Sequence, residues 1–175
     1  MVPSRALGDE EAYDHGRRRL LWGLTTGLYL LGTHHGDDLH VMTTSWATQL
    51  AISPKLVGVS VEANARTRQF IDASGSFLLA LLAVDQKNII RKFVKVDQRR
   101  EVKEGSLAIE GVPFGLSEMG NPYPIAAAGF LEMKLVSRLE LGSHTLFVGE
   151  VTDAVEFVLG AVMLSIRDTR MNYGG

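Results

Sequence analysis

Hydrophobic and polar positions alternate along most of this chain, and a period near four replaces that alternation in only a few places. The run TGLYLLGTHH, residues 26–35, is β-rich and closes on the turn Gly36-Asp37-Asp38; LHVMTTSWATQLAIS follows, and the two read as a β-hairpin. Ser53-Pro54 ends the second strand, because proline cannot donate to the ladder. A third strand is expected over Leu56–Glu62. The loop ANART then opens a helix, TRQFIDASG, with Phe70, Ile71 and Ser74 on one buried face and Gly75 as its stop. SFLLALLA, apolar throughout, predicts a strand covered on both faces. DQKNIIRKFV reads as a second amphipathic helix, capped by Asp85, with Ile89, Ile90, Phe93 and Val94 inward.

The flanks are less regular. Residues 9–24 begin with an Asp cap and an acidic turn and end on Arg17–Arg19 and Leu20, Leu21 and Trp22, as a short helix in an N-terminal extension (1–20) would. The triple Arg is read as a solvated helix end. Residues 95–129 predict a charged stretch, a short strand and a long Gly/Pro-rich loop of the kind that often carries function. Two long strands, FLEMKLVSRLEL and HTLFVGEVTDAVEF, meet at Gly142-Ser143, and the tail AVMLSIRDTRMNYGG offers one more. About seven strands with two or three short helices predict an antiparallel β-barrel with helices packed outside, since closure removes exposed edges.

With 175 residues, one domain over 1–175 is expected, and 46% hydrophobic against 22% charged residues allows a full core. A net charge of −2 provides no field for phosphate backbones, so nucleic acid is not an expected partner. The absence of cysteine excludes disulfides, thiolate catalysis and cysteine-ligated metals, and fits a reducing cytoplasm. No apolar run approaches the ~20 residues of a membrane helix, so no membrane is expected.

Neither G-x-G-x-x-G nor a P-loop is present, and Gly58-Val59-Ser60-Val61-Glu62 lacks the last glycine of a nucleophile elbow. His34, His35 and His40 are expected to face solvent beside an acidic turn, and no metal site is expected. His144 is different, because it begins a strand after a tight turn, near Glu140 and Glu150. In MTTSWATQLAISP, strand alternation would place Thr43, Ser45 and Ala47 on one face and Thr44, Trp46 and Thr48 on the other, so both faces carry hydroxyls. Small donors of this kind suit a planar heteroaromatic. At Asn64, Arg66 and Thr67 a helix start supplies free N–H groups, a cation and a hydroxyl, which suits a phosphate. Taken locally, both segments are equally a Thr-rich strand and an ordinary helix start.

In order and content, MTTSWATQLAISPKLVGVSV, ANARTRQFIDASGSFLLALL, DQKNIIRKF and GSHTLFVGEVTDA resemble the flavin reductase-like family of FMN-binding split barrels, across roughly residues 22–173. The resemblance implies a mainly β, antiparallel, Greek-key-like split β-barrel with a few peripheral helices. It implies FMN, with FAD as the alternative, and NAD(P)H as co-substrate for hydride transfer to flavin. Met42, Thr43, Thr44, Ser45, Trp46, Ala47 and Thr48 would line the isoalloxazine and ribityl chain, Asn64, Arg66 and Thr67 would hold the phosphate, Glu62 would also contact the cofactor, and His144 would position the nicotinamide or relay a proton. The family further implies a homodimer, and a monooxygenase or another protein as electron acceptor. The other reading it leaves is a flavoredoxin-like electron carrier that does not oxidise NAD(P)H. Lys55, Met133 and Val41 depart from residues common in such proteins.

Overall fold

The computed structural model describes residues 14, 16–18, 20–21, 23–24, 26–94 and 97–169. Its strands are β1 (Tyr29–His35), β2 (Asp38–Thr44), β3 (Ala47–Ala51), β4 (Leu56–Glu62), β5 (Ser76–Leu81), β6 (Arg100–Lys103), β7 (Ser106–Ile109), β8 (Val112–Leu116), β9 (Pro122–Pro124), β10 (Gly129–Glu140) and β11 (His144–Glu156). Seven of them form one antiparallel sheet in the order β2-β1-β5-β10-β11-β4-β3, and β6 to β9 form a second sheet of four.

The predicted β1–β2 hairpin forms, with register from Tyr29↔Thr44 to His35↔Asp38. Its second strand is not one strand to Ser53, as the alternation suggested. It stops at Thr44, and β3 begins three residues later on the opposite edge of the sheet, paired with β4. Three Cα steps span at most about 11 Å. Edges that close in a seven-stranded sheet require it to roll into a barrel, with the seam between β2 and β3 left unpaired.

Both faces of this rolled sheet are covered. Phe77 and Leu79 of β5 join Leu31, Val57, Val59, Val61, Ile71, Met133 and Phe147 in the lumen. Leu78 and Ala80, their neighbours in the pleat, turn outward against Val41, Ile90, Phe93, Ile109 and Phe114, under the second sheet. SFLLALLA is therefore buried on both sides, as its unbroken apolar run predicts. Fully burying a side chain such as Phe77 or Phe147 contributes about 1.5–3 kcal/mol. The second sheet approaches so closely that a Cβ on Gly32 would lie 2.0 Å from the Pro122 carbonyl oxygen. The open edge of β2 is covered by the Gln98 side-chain amide, which accepts from the Val41 N–H at 3.2 Å and donates to the Val41 carbonyl.

Helix α1 (Arg66–Ser74) buries Thr67, Phe70 and Ile71 and stops where Gly75 adopts φ 67°, a left-handed conformation that costs a side-chain-bearing residue far more. The second predicted helix is shorter: a 3₁₀ turn, Val84–Gln86, then α2 (Lys87–Ile90), then another 3₁₀ turn, Arg91–Phe93. Asp85 is not its cap. The Gln86 side chain accepts from the Ala83 N–H at 2.8 Å, and Val94 faces outward while Ile90 and Phe93 are buried.

Residues 97–129 are not the long loop expected but carry all four strands of the second sheet. Glu104-Gly105 and Glu110-Gly111 carry positive φ at both positions, the geometry of two-residue type I′ hairpins. Glutamate in place of Asn or Asp concealed those turns. The tail forms bridges at Met163 and Ser165 and a 3₁₀ turn over Ile166–Asp168 instead of a strand. Of the predicted helix over 9–24, Asp14, Gly16–Arg18, Leu20 and Leu21 are helical, while Gly23 and Leu24 are not; 9–13, 15, 19, 22 and 170–175 lie outside the described residues.

Candidate functional site

The seam brings three separate segments together. β2 carries Met42 to the start of α1, where the Thr67 hydroxyl donates to Met42 Sδ at 3.0 Å and Thr67 itself is buried. β4 ends at Glu62, opposite His144 at the start of β11. Between the edges, Trp46 is held by its backbone: its N–H donates to Thr44 Oγ1 at 3.3 Å and its carbonyl accepts from the Ser60 N–H at 2.9 Å. Its indole lies on the His144 imidazole, with ring centroids 4.7 Å apart and planes inclined by 51°. His144 Nδ1 lies 2.9 Å from Ser143 Oγ, and Trp46 keeps 39% of its surface exposed.

The start of α1 has the character of an anion site. Ala65 is the N-cap, with no side-chain capping bond, and the first turn holds no acid, so its leading N–H groups are unclaimed by any side chain. Asn64 and Arg66 are exposed beside it. The Arg66 guanidinium sits 4.8 Å over the Phe70 ring and 3.9 Å from Asp38.

The candidate hydroxyls do not behave alike. Thr43 turns out of the lumen with Val41 and donates to the Ile90 carbonyl at 2.8 Å, Thr44 accepts from Trp46, and Ser45 is buried. Ala47 and Thr48 lie past the crossover on β3, where with Tyr29, Gln49, Lys55, Leu79, Leu131 and Val151 they line a cavity of about 300 Å³ at the mouth of the lumen. Burial raises the Tyr29 phenol above its ordinary pKa.

The expectation that His34, His35 and His40 all face solvent fails at His40. Only 5% exposed, it meets the edge of the Phe70 ring at 5.8 Å. Burial, and secondarily the Arg66 charge, lower its pKa from 6.5 to about 4, so it is neutral at pH 7. Alternation on β2 places His40 on the same face as Met42, and the sequence carried no sign that α1 would cover that face. Sequence reasoning also passed over Arg68, whose contacts reach both α1 and β10; the Arg68/Asp72 spacing of four residues on a helix is the one local signal for it.

A family model described as flavin reductase like domain matches residues 21–166. The chain is 29% identical over 147 residues to a high molecular weight rubredoxin of Moorella thermoacetica, covering 83% of this chain and 62% of that protein, so it spans less than two thirds of that relative's length. It is 28% identical over 141 residues to an NADH-dependent FAD reductase of Streptomyces globisporus, covering 80% of this chain and 75% of the relative. Among solved structures, the Streptomyces globisporus C-1027 NADH:FAD oxidoreductase SgcE6 superposes with a TM-score of 0.74 at 24% identity, over 93% of this chain and 92% of the other. That superposition bears on the fold.

Proposed function

The chain belongs to the flavin reductase like family, and from that premise we propose that it is an FMN-binding oxidoreductase that moves hydride from NAD(P)H to flavin. The observation that carries the reading is the convergence at the seam: an uncapped, acid-free helix start bearing Arg66, the strand end Met42–Thr44, and the Trp46–His144 ring pair, drawn from three distant parts of the chain. When bound, flavin supplies a two-electron acceptor for hydride. The chain's own part is to bind and orient. The first-turn amides of α1, Asn64 and the Arg66 guanidinium receive a phosphate. Backbone amides of residues 45–48, apart from the Trp46 N–H that donates to Thr44, serve a polar ring edge, with Met42, Trp46 and Glu62 around it. His144 holds the nicotinamide, and a ring nitrogen bonded to Ser143 fixes its orientation. Thr43 and Ser45 shape this wall from behind, because their side chains are buried.

A homodimer belongs to the same reading. Leu50, Ile52, Val136, Leu139 and Leu141 are exposed on the β3–β4 turn and the β10–β11 hairpin, flanking the His144 side of the seam, and a second copy would cover them. Similarity to reductases of two-component systems supports a partner enzyme as consumer of the reduced flavin; one structural neighbour is the flavin reductase component of a two-component tryptophan halogenase. No helix among the described residues is long and apolar enough to cross a membrane, and a cytoplasmic location is proposed. The rubredoxin relative favours a second reading, a flavin-binding electron carrier that does not oxidise NAD(P)H.

The deciding measurement is anaerobic mixing of the purified protein with FMN or FAD and then NADH or NADPH, following flavin binding by fluorescence and its bleaching by absorbance. The reductase reading expects flavin bleaching matched by nicotinamide oxidation, with weaker flavin binding in Thr67→Ala. Binding without bleaching supports the carrier, and no binding of either flavin refutes both.

A further inference from the structure

Arg68 lies one residue beyond the proposed phosphate site and turns away from it. Its Nη1 donates to the Ala63 carbonyl at 3.0 Å, fixing the turn that presents Asn64. Its Nη2 donates to Glu140 Oε1 at 3.0 Å, at the end of β10. The other carboxylate oxygen of Glu140 accepts from the Thr145 hydroxyl at 2.9 Å, and Thr145, wholly buried, adjoins His144. The backbone repeats the link, because the Ala63 N–H donates to the Ser143 carbonyl at 2.9 Å. Asp72 and Arg138 extend the arrangement into four alternating charges: Arg138 pairs with Asp72 and lies 3.9 Å from Glu140, and Asp72 lies 3.9 Å from Arg68.

We infer that Arg68 is a positioning residue that locks the helix-start loop and the His144 turn into one body, so that the phosphate end and the nicotinamide end of the site keep a fixed separation. This rests on the flavin reductase reading for its functional consequence, though not for its mechanical one. Partly exposed charge pairs add little to global stability. A guanidinium that forks between a backbone carbonyl and a carboxylate on another element instead fixes geometry, which a lysine's single ammonium does less well. The two ends of the site are thereby coupled: disturbance at Arg68 should weaken both together, although the residue touches neither ligand.

The test compares wild type with Arg68→Met, Arg68→Lys and Glu140→Gln. In Arg68→Met the flavin Kd and the nicotinamide KM should each rise by about fivefold or more, with kcat and the melting temperature near wild type. Arg68→Lys should recover part of both losses, and Glu140→Gln should reproduce them in weaker form. Hydrogen exchange read by mass spectrometry on the peptides around 63–67 and 141–145 supplies a readout that needs no flavin. Both peptides should exchange faster together in Arg68→Met. Were only one of them to change, or neither, the lock would be refuted. If wild type failed to bind flavin while the two peptides still moved together, the functional reading would fall and the lock would stand. Unchanged Kd and KM in a flavin-binding Arg68→Met would remove the coupling. Should Arg68→Met not fold, the same criteria apply to Glu140→Gln.

Discussion

His40 gives the most quantitative handle on the seam. Its imidazole is buried beneath α1 between Phe70 and the Arg66 charge, and its folded pKa is lowered from 6.5 to about 4. The unfolded chain therefore takes up a proton near pH 6.5 that the folded chain refuses until about pH 4. The resulting penalty is absent above pH 6.5, grows as the pH falls, and levels off below 4. At about 1.4 kcal/mol per pH unit, the full difference is at most about 3.5 kcal/mol, and by pH 5 about 2 kcal/mol of it should be lost. Urea unfolding of wild type and His40→Gln at pH 7.5 and pH 5 measures this directly. The variant should lose less stability between the two pH values than wild type, by about 2 kcal/mol. Parallel losses in the two proteins would show that His40 is not held neutral and would refute the burial argument. The same site reports on ligand: an anion bound at Arg66 offsets that charge and should raise the His40 pKa in an NMR titration, whereas Arg66→Gln should raise it without ligand.

Three further outcomes follow from individual contacts. Gly32→Ala places a methyl against the Pro122 carbonyl, 2.0 Å away in the present backbone, and should cost about 1–3 kcal/mol in chemical unfolding; an unaffected midpoint would mean the two sheets are not so close. Thr43→Val removes the bond to the Ile90 carbonyl and should cost about 1–3 kcal/mol while leaving flavin affinity unchanged, because its hydroxyl points away from the seam. A loss of flavin affinity out of proportion to stability would return Thr43 to the binding wall. Trp46 lies against His144 with ring centroids 4.7 Å apart, so its emission should change in His144→Ala. A Trp22→Phe background isolates the Trp46 signal, and an unchanged spectrum in His144→Ala would mean that the two rings are not in contact.

Much of the barrel was legible because it rests on neighbours in sequence. Gly75 can take φ 67° cheaply, so it stops α1 wherever α1 packs. An apolar run such as SFLLALLA has no face to offer water, so it must lie between two layers. Gly142 has φ 76° and turns the chain between β10 and β11 whatever surrounds them. The helix start at Asn64–Thr67 was legible for the same reason. Other features depended on distant partners. Strand alternation continues unbroken through Ser45 and Trp46, and only barrel closure sends β2 and β3 to opposite edges, since the seam is a property of seven strands rolled together. His40 reads as an exposed strand residue until α1 covers it. Arg68 reads as a solvated helix residue until β10 brings Glu140 within 3.0 Å. The chain alone thus determined β1, β4, β5, β10, β11 and α1, because backbone conformation and burial pattern are local. Which residues meet at the seam was decided by tertiary structure, because contacts between residues 72 apart, such as Arg68 and Glu140, arise only once the sheet has closed.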